Sequence, residues 1–122
     1  MIIQNCDNLA TTPQRKIVLE LVEKAFNSIQ PEENFNKTVK FENHILSILE
    51  TNYDLNNFEN VYLIGFGKGS AKNSKLLESL LGDKLKEGYA IDTVGEDFKK
   101  IQFTQGTHPI ISQENVDFTF KV

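Results

Sequence analysis

The stretch of sequence that decides the fold is Val61-Tyr62-Leu63-Ile64-Gly65-Phe66-Gly67-Lys68-Gly69-Ser70-Ala71-Lys72. Four apolar residues lead into a turn with three glycines, and a helical pattern follows, which predicts a buried strand, a loop and a helix. Glycines leave backbone N–H groups uncovered, and the N-terminus of a helix favours anions. Because Lys68 lies in the middle of this turn, the segment predicts a site for a phosphate or a carboxylate.

The residues after this turn continue the pattern of an open α/β sheet. Gly82 is suited to end the helix, and strands are expected around residues 89–93 and 100–105. In such sheets, ligands bind beyond the carboxyl ends of the strands. Residues 61–64 are expected to be a central parallel strand that is buried on both faces.

The last helix is predicted to begin after Ser112, whose hydroxyl can cap it. Val116, Phe118 and Phe120 are expected to be exposed and to need a partner surface. The partner would be a second copy of the chain or a separate C-terminal half.

The N-terminal part of the chain predicts one clear helix. Thr12 can cap it, and Pro13 suits its first position because proline lacks the N–H that would be unsatisfied there. The helix should end before Pro31, and residues 31–37 are expected to form a polar loop. Its apolar stripe includes Ile17, Leu21, Ala25 and Ile29.

Residues 38–55 are compatible with two local structures. Their apolar residues could line a helix, or they could form a hairpin that turns at Asn43 and His44. A further turn would then lie at residues 50–52. The β-branched residues and the asparagines favour the hairpin.

Composition narrows the possible functions of the 122-residue chain, whose length is typical of one domain. The net charge of −4 is spread along the sequence, so nucleic-acid binding is not expected. A single cysteine, Cys6, excludes an internal disulfide and a cysteine metal cluster, and no protein-only metal site is predicted. No signal peptide or membrane-spanning run is visible, so a cytoplasmic location without membrane contact is expected.

Several segments resemble the N-terminal domain of the MOFRL-type glycerate 2-kinases, and they occur in the same order over residues 38–115. The glycine turn at residues 63–71 is one of them. The others are the lead-in Tyr53-Asp54-Leu55 with Phe58, the stretch from Leu80 to Gly88, and Gly106-Thr107-His108-Pro109 followed by Glu114-Asn115. The resemblance implies a partial, Rossmann-like N-terminal domain over residues 1–122 and a β-hairpin at residues 43–49.

The resemblance also implies an activity, which is phosphoryl transfer from ATP to the 2-hydroxyl of D-glycerate with Mg²⁺. Lys68 is then the catalytic lysine, close to the substrate and the transferring phosphate. Residues expected to bind glycerate or phosphate in the same cleft are Gly65, Gly67, Gly69, Ser70, Thr107 and His108. The family's C-terminal domain, which carries a catalytic arginine, lies outside this sequence, so the chain alone is expected to be inactive.

Other interpretations remain open for the same residues. The glycines could merely allow close packing, with Lys68 solvated, and His108 could satisfy a turn carbonyl instead of binding substrate. Similar turns bind sugar phosphates, in which case Ser70 and Ser74 would hold the phosphate. The spacing excludes a P-loop, and Ser70 argues against a dinucleotide site, whose ribose-binding acid would be Asp92.

Overall fold

A computed structural model describes residues 2–122 as two compact units. The first unit ends at Lys37, and the second is Thr38–Val122. The three helices that begin in the first unit are α1 (Cys6–Leu9), α2 (Pro13–Ser28) and α3 (Pro31–Thr38). In the part of the chain described here, no helix is both long and apolar enough to cross a membrane.

Helix α2 begins as the sequence predicts. The Thr12 side chain accepts a hydrogen bond from the Arg15 N–H, and Pro13 occupies the first turn. Its apolar stripe is largely exposed to solvent, at Ile17, Val18, Leu21, Val22 and Phe26. The sequence therefore predicted this helix correctly but did not reveal that its apolar stripe is exposed to solvent.

Helix α3 replaces the loop that was expected at residues 31–37, so that prediction was wrong. Pro31 begins the helix, acidic residues occupy its first turn and Lys37 lies in its last turn, which suits the helix dipole. Phe35 is its buried side chain. One apolar residue in so short a segment gives no helical period, and for that reason the pattern was missed.

The second unit begins with an antiparallel sheet in the order β1 (Val39–Glu42), β2 (Ile45–Ile48) and β3 (Thr51–Asp54). The hairpin is confirmed. Its turn residues Asn43 and His44 have φ values of 49° and 67°, the left-handed region that tight two-residue hairpin turns require. The third strand corrects the turn expected at residues 50–52, because Thr51 pairs with Ile48.

A parallel sheet follows, in the order β4 (Val61–Phe66), β5 (Leu85–Asp92) and β6 (Ile101–Gln105). Helix α4 (Ser70–Leu81) connects β4 to β5, and α5 (Gln113–Thr119) follows β6. The predicted class, an open Rossmann-like α/β sheet with helices, an N-terminal helix and a β-hairpin, is confirmed. The strand expected around residues 89–93 starts earlier than predicted, at Leu85.

Strand β4 lies at the edge of this sheet, so its predicted central position is wrong. Leu63 is buried on one face, whereas Tyr62, Ile64 and Phe66 on the other face are exposed. Strand β5 is central, and its Leu85 and Ala90 are fully buried. An apolar run indicates burial but does not state the strand order, which depends on how the connections cross.

Helices α4 and α5 pack against opposite faces of β5. Asp92 hydrogen-bonds to the first turn of α4, whereas the Tyr89 ring meets Phe118 of α5 edge-on at 6.0 Å. Because side chains alternate along a strand, these two residues point to opposite faces. Phe118 is buried, which corrects its expected exposure, while Val116 and Phe120 are exposed as expected.

Candidate functional site

A cleft of about 350 Å³ lies beyond the carboxyl ends of the three parallel strands. This is the place where open α/β sheets bind ligands. Among the residues that line it are Gly67, Lys68, Asp92, Thr93, Thr107 and His108. The structure therefore brings together four of the residues predicted for the site, namely Gly67, Lys68, Thr107 and His108. Gly65, Gly69 and Ser70 do not line the cleft.

The glycine turn is a tight bend with Lys68 at its apex. Gly67 and Gly69 have φ values of 90° and 84°, which side-chain-bearing residues rarely adopt. The Gly67 N–H donates to the Ile91 carbonyl at 3.1 Å, and the Ser70 N–H donates to the Gly67 carbonyl at 3.1 Å. The bend is thus fastened to the end of β5.

Asp92, the last residue of β5, fills the position where the sequence predicted a bound anion. Its Oδ2 accepts from the Ala71 N–H at 3.0 Å and its Oδ1 from the Thr93 N–H at 2.6 Å, and the Gly69 N–H also donates to it. Most of the predicted amide cradle is therefore closed: the Gly67 and Ser70 N–H groups donate to backbone carbonyls and the Gly69 N–H to Asp92, and the Lys68 N–H is left without a partner among residues 2–122. The carboxylate from the neighbouring strand also suits the helix dipole.

The side chain of Ser70 is also engaged within the protein. Its hydroxyl donates to the Ile91 carbonyl at 3.0 Å. Ile91 therefore accepts two hydrogen bonds from the glycine turn, one from Ser70 and one from Gly67. Ser70 thus helps to fasten the turn to β5.

The environment of Asp92 keeps its carboxylate ionised. Burial of the carboxyl opposes the charge, but hydrogen bonds from the N–H groups of Ala71, Thr93 and Gly69 outweigh that effect. The pKa of Asp92 is consequently lower than that of an ordinary aspartate. The negative charge at this position belongs to the protein itself.

Lys68 is the cation of the cleft. Its side chain is exposed, and within residues 2–122 its ammonium group has neither a hydrogen bond nor an ion pair. An ammonium group offers three N–H donors to a phosphate or a carboxylate. The charge of this lysine is therefore available to a ligand.

The opposite wall of the cleft is a turn held by Asn115, which the sequence did not single out. Its buried side chain accepts from the Thr107 N–H at 2.9 Å and donates to the Gln105 carbonyl at 2.8 Å. The Ser112 side chain caps α5 by accepting from the Asn115 N–H, as predicted. The sequence signals near Asn115 were this cap and the segment Glu114-Asn115 of the family resemblance, and neither gave Asn115 a role.

Thr107 lines the cleft, but its hydroxyl is engaged in the same turn. It donates to the Ile110 carbonyl at 2.6 Å and accepts from the Ser112 N–H at 2.8 Å. The hydroxyl also lies 3.0 Å from Asn115 Oδ1. Thr107 thus shapes the wall of the cleft, and its predicted contact with a ligand stays a prediction.

His108 lies at the rim and precedes a cis peptide bond to Pro109. Its imidazole is exposed and has no hydrogen bond to any described residue, so the turn-carbonyl alternative is not formed. Among the described residues that line the cleft, Lys68 and His108 are therefore the two whose side-chain nitrogens have no hydrogen-bond partner.

Gly65 has a packing role in the structure. A Cβ atom placed on it would lie 2.4 Å from Ser74 Oγ, which is far inside contact distance. The Ser74 side chain of α4 thus occupies the space that a side chain at position 65 would need. This is the alternative that the sequence left open, and it applies to Gly65 without extending to Gly67.

Comparisons with known proteins agree with this architecture. Residues 17–122 match a family described as "Domain of unknown function (DUF4147)". The chain is similar to a glycerate 2-kinase of Picrophilus torridus, with 26% identity over 117 residues, which covers 93% of this chain and 26% of that protein.

Among solved structures, the chain is similar to the PH0495 protein from Pyrococcus horikoshii OT3. The TM-score is 0.72 and the identity 22%, and the match covers 88% of this chain and 24% of that one. The chain therefore spans about a quarter of the length of both relatives. The family match extends over most of the chain, and the predicted motifs lie within it. The chain belongs to the DUF4147 family, the N-terminal domain of the MOFRL glycerate kinases.

Proposed function

We propose that the cleft binds the carboxylate or phosphate group of a small hydroxy acid such as glycerate. The chain would then be the N-terminal, substrate-binding part of an ATP-dependent glycerate 2-kinase-like phosphotransferase. The observation that supports this most directly is the unpaired ammonium of Lys68 at the mouth of the cleft. The relation to glycerate 2-kinase supplies the substrate class.

The roles of the residues follow from the chemistry of phosphoryl transfer, which depends on positioning and on charge neutralisation. Lys68 is proposed to neutralise negative charge on the substrate or on the transferring group. His108, on the opposite wall, is proposed to hydrogen-bond the same ligand. The amides of Gly67, Gly69 and Ser70 take no part, because oxygens of the protein already accept from them.

The Mg²⁺ ion and ATP that the family implies would need residues in addition to the described ones on this proposal. In residues 2–122, no group of three His, Cys, Asp or Glu side chains could hold a metal ion. Both carboxylate oxygens of Asp92 already accept N–H bonds. We therefore propose that nucleotide and metal chemistry requires further residues, and we expect no turnover from this chain alone.

A ligand titration tests the proposed site. In ¹⁵N-labelled protein, D-glycerate and inorganic phosphate should each shift the amide signals of Lys68 and His108 in a saturable way. Lys68→Met should abolish the shifts. The matched control Lys40→Met, which removes an equally exposed charge from β1, should leave them unchanged. Equal binding by both variants would reject the assignment of Lys68.

An activity measurement tests the second part of the proposal. A coupled assay with ATP, Mg²⁺ and D-glycerate should show no turnover for the isolated chain. Clear turnover that is lost in Lys68→Met would support the catalytic role and overturn the expected inactivity. Turnover that survives this substitution would contradict both.

A partner-binding function is a second candidate, because the outer face of β4 is apolar and open. Tyr62, Ile64 and Phe66 are 55%, 61% and 81% exposed, and Phe120 is 84% exposed. Such a surface is typical of an interaction site. Sedimentation analysis over a wide concentration range would detect self-association, and a monomer throughout would count against the homo-oligomer.

A further inference from the structure

The geometry points to Asp92 as the positioning residue for Lys68: its carboxylate holds the Gly67–Gly69 bend in the conformation that presents the lysine to the cleft. This inference rests on the proposed function of Lys68 and adds a residue to which the family resemblance gave no role.

The bend is held on both sides of Lys68 by two consecutive residues of β5. On one side, the Gly67 N–H donates to the Ile91 carbonyl at 3.1 Å. On the other side, the Gly69 N–H donates to Asp92, whose Oδ2 also accepts from the Ala71 N–H at 3.0 Å. Lys68 itself makes no hydrogen bond within the described chain, so its neighbours alone determine where it points.

The bend needs this support because glycine is conformationally free. Gly67 and Gly69 both have positive φ, and a Cβ atom on either would meet no other atom within 4 Å. Space is therefore open beside both glycines, and the hydrogen bonds of the bend restrict a backbone that is intrinsically free. The buried Asp92 carboxylate, which is 6% exposed, supplies a charged acceptor for these hydrogen bonds.

A second consequence concerns where a ligand anion can bind. The ionised Asp92 occupies the N-terminus of α4 and repels a second anion from that position. A phosphate or carboxylate in the cleft is thereby directed to the Lys68 ammonium. Asp92 thus both orients the cation and closes the competing site at the helix N-terminus.

The test compares Asp92→Asn with Glu78→Gln. Glu78, on α4, is also a buried carboxylate. It accepts two backbone N–H bonds, from Lys99 at 2.8 Å and from Lys100 at 2.6 Å. It does not line the cleft. Both variants lose one buried charge and weaken the fold, so a purely structural effect would be similar in the two.

Binding of D-glycerate is measured by NMR well below the unfolding temperature of each variant. If the unfastened bend keeps its competent conformation in about a tenth of the molecules, the dissociation constant of Asp92→Asn rises about tenfold. Glu78→Gln should bind as tightly as the wild type. Hydrogen exchange at the Gly69 and Ala71 amides, which donate to Asp92, should accelerate in Asp92→Asn alone.

Each outcome has a distinct meaning. Wild-type binding that is lost in Lys68→Met but retained in Asp92→Asn would overturn this inference and leave the proposed function intact. Absence of wild-type binding would overturn the proposed function, while faster exchange at Gly69 and Ala71 in Asp92→Asn would still support the fastening role. If Asp92→Asn does not fold, hydrogen exchange of the wild type replaces it: the Gly69 and Ala71 amides should be protected, and exchange as fast as that of an unstructured amide would refute the inference.

Discussion

Substituting Gly65 by alanine should separate packing from ligand binding, since this glycine was predicted to contact the substrate but lies against α4. The new Cβ atom would lie 2.4 Å from Ser74 Oγ, about 1 Å closer than ordinary contact. Ser70 Cβ, at 3.5 Å, would remain in ordinary contact. The strand and the helix must therefore separate, or the buried Ser74 side chain must rotate.

The magnitude follows from two opposing contributions. Overpacking of this kind costs about 1–3 kcal/mol. Alanine offsets about 0.5–1 kcal/mol of this, because it loses less backbone entropy than glycine on folding. The free energy of unfolding should therefore fall by about 0.5–2 kcal/mol, which corresponds to a decrease in Tm of roughly 2–10 °C.

Chemical denaturation of four proteins tests the cause: the wild type, Gly65→Ala, Ser74→Ala and the double variant. Because Ser74→Ala removes the contacting oxygen, the alanine at position 65 should cost less stability in that background, with a coupling of about 1 kcal/mol.

Gly67→Ala is the control, since its Cβ meets nothing within 4 Å and only its positive φ opposes it. Its cost should not change with Ser74→Ala. Equal costs of Gly65→Ala in both backgrounds would refute the packing argument, and weaker D-glycerate binding by the folded variant would revive the substrate contact.

Three further predictions concern the fold around the cleft. The pKa values of Asp92 and Glu78 are lowered in the folded protein, so both carboxylates stabilise the fold fully above their unfolded pKa values of about 4. This stabilisation is lost as the pH falls through the lower folded pKa values. The unfolding free energy should therefore fall less steeply with acid in variants that lack either carboxyl. Asn115→Ala should lower the unfolding free energy by about 1–3 kcal/mol and speed hydrogen exchange at Thr107, because it leaves a buried turn without its donor and acceptor; unchanged exchange would contradict this. Phe118→Ala should cost about 3–5 kcal/mol in urea denaturation, whereas Phe120→Ala, at an exposed position, should change stability by less than about 0.5 kcal/mol.

Local sequence signals predicted the parts of the fold that depend on neighbouring residues. Thr12 and Ser112 cap helices as their types suggest, and the asparagine-rich turn at residue 43 forms the expected hairpin. The position of β4 at the sheet edge was not predictable in this way. Strand order depends on contacts between residues far apart in sequence, and an apolar run such as residues 61–64 is the same at the centre and at the edge.

The two aromatic residues near the end of α5 show the same limit. Phe118 and Phe120 lie two positions apart and are chemically identical, and the sequence analysis expected both to be exposed. In the structure Phe118 contacts the Tyr89 ring, whereas Phe120 falls beyond the end of the helix. Two residues along a helix correspond to about 200° of rotation, so one of the pair faces the sheet and the other faces away.

The position of the candidate site followed from its residues, but its chemistry did not. A glycine-rich turn between a strand and a helix predicts both a ligand position and free amides. A cleft does lie at that turn, but most of the amides are already engaged, by Ile91 and Asp92 of the adjacent strand and within the turn itself. Because β4 and β5 are parallel neighbours, their ends meet at one edge, and a carboxylate at the end of one reaches the helix that follows the other. The proposed binding at this turn therefore relies on the cation that the glycines expose, so the ligand contacts should depend on the charge at position 68 and not on the number of glycines around it.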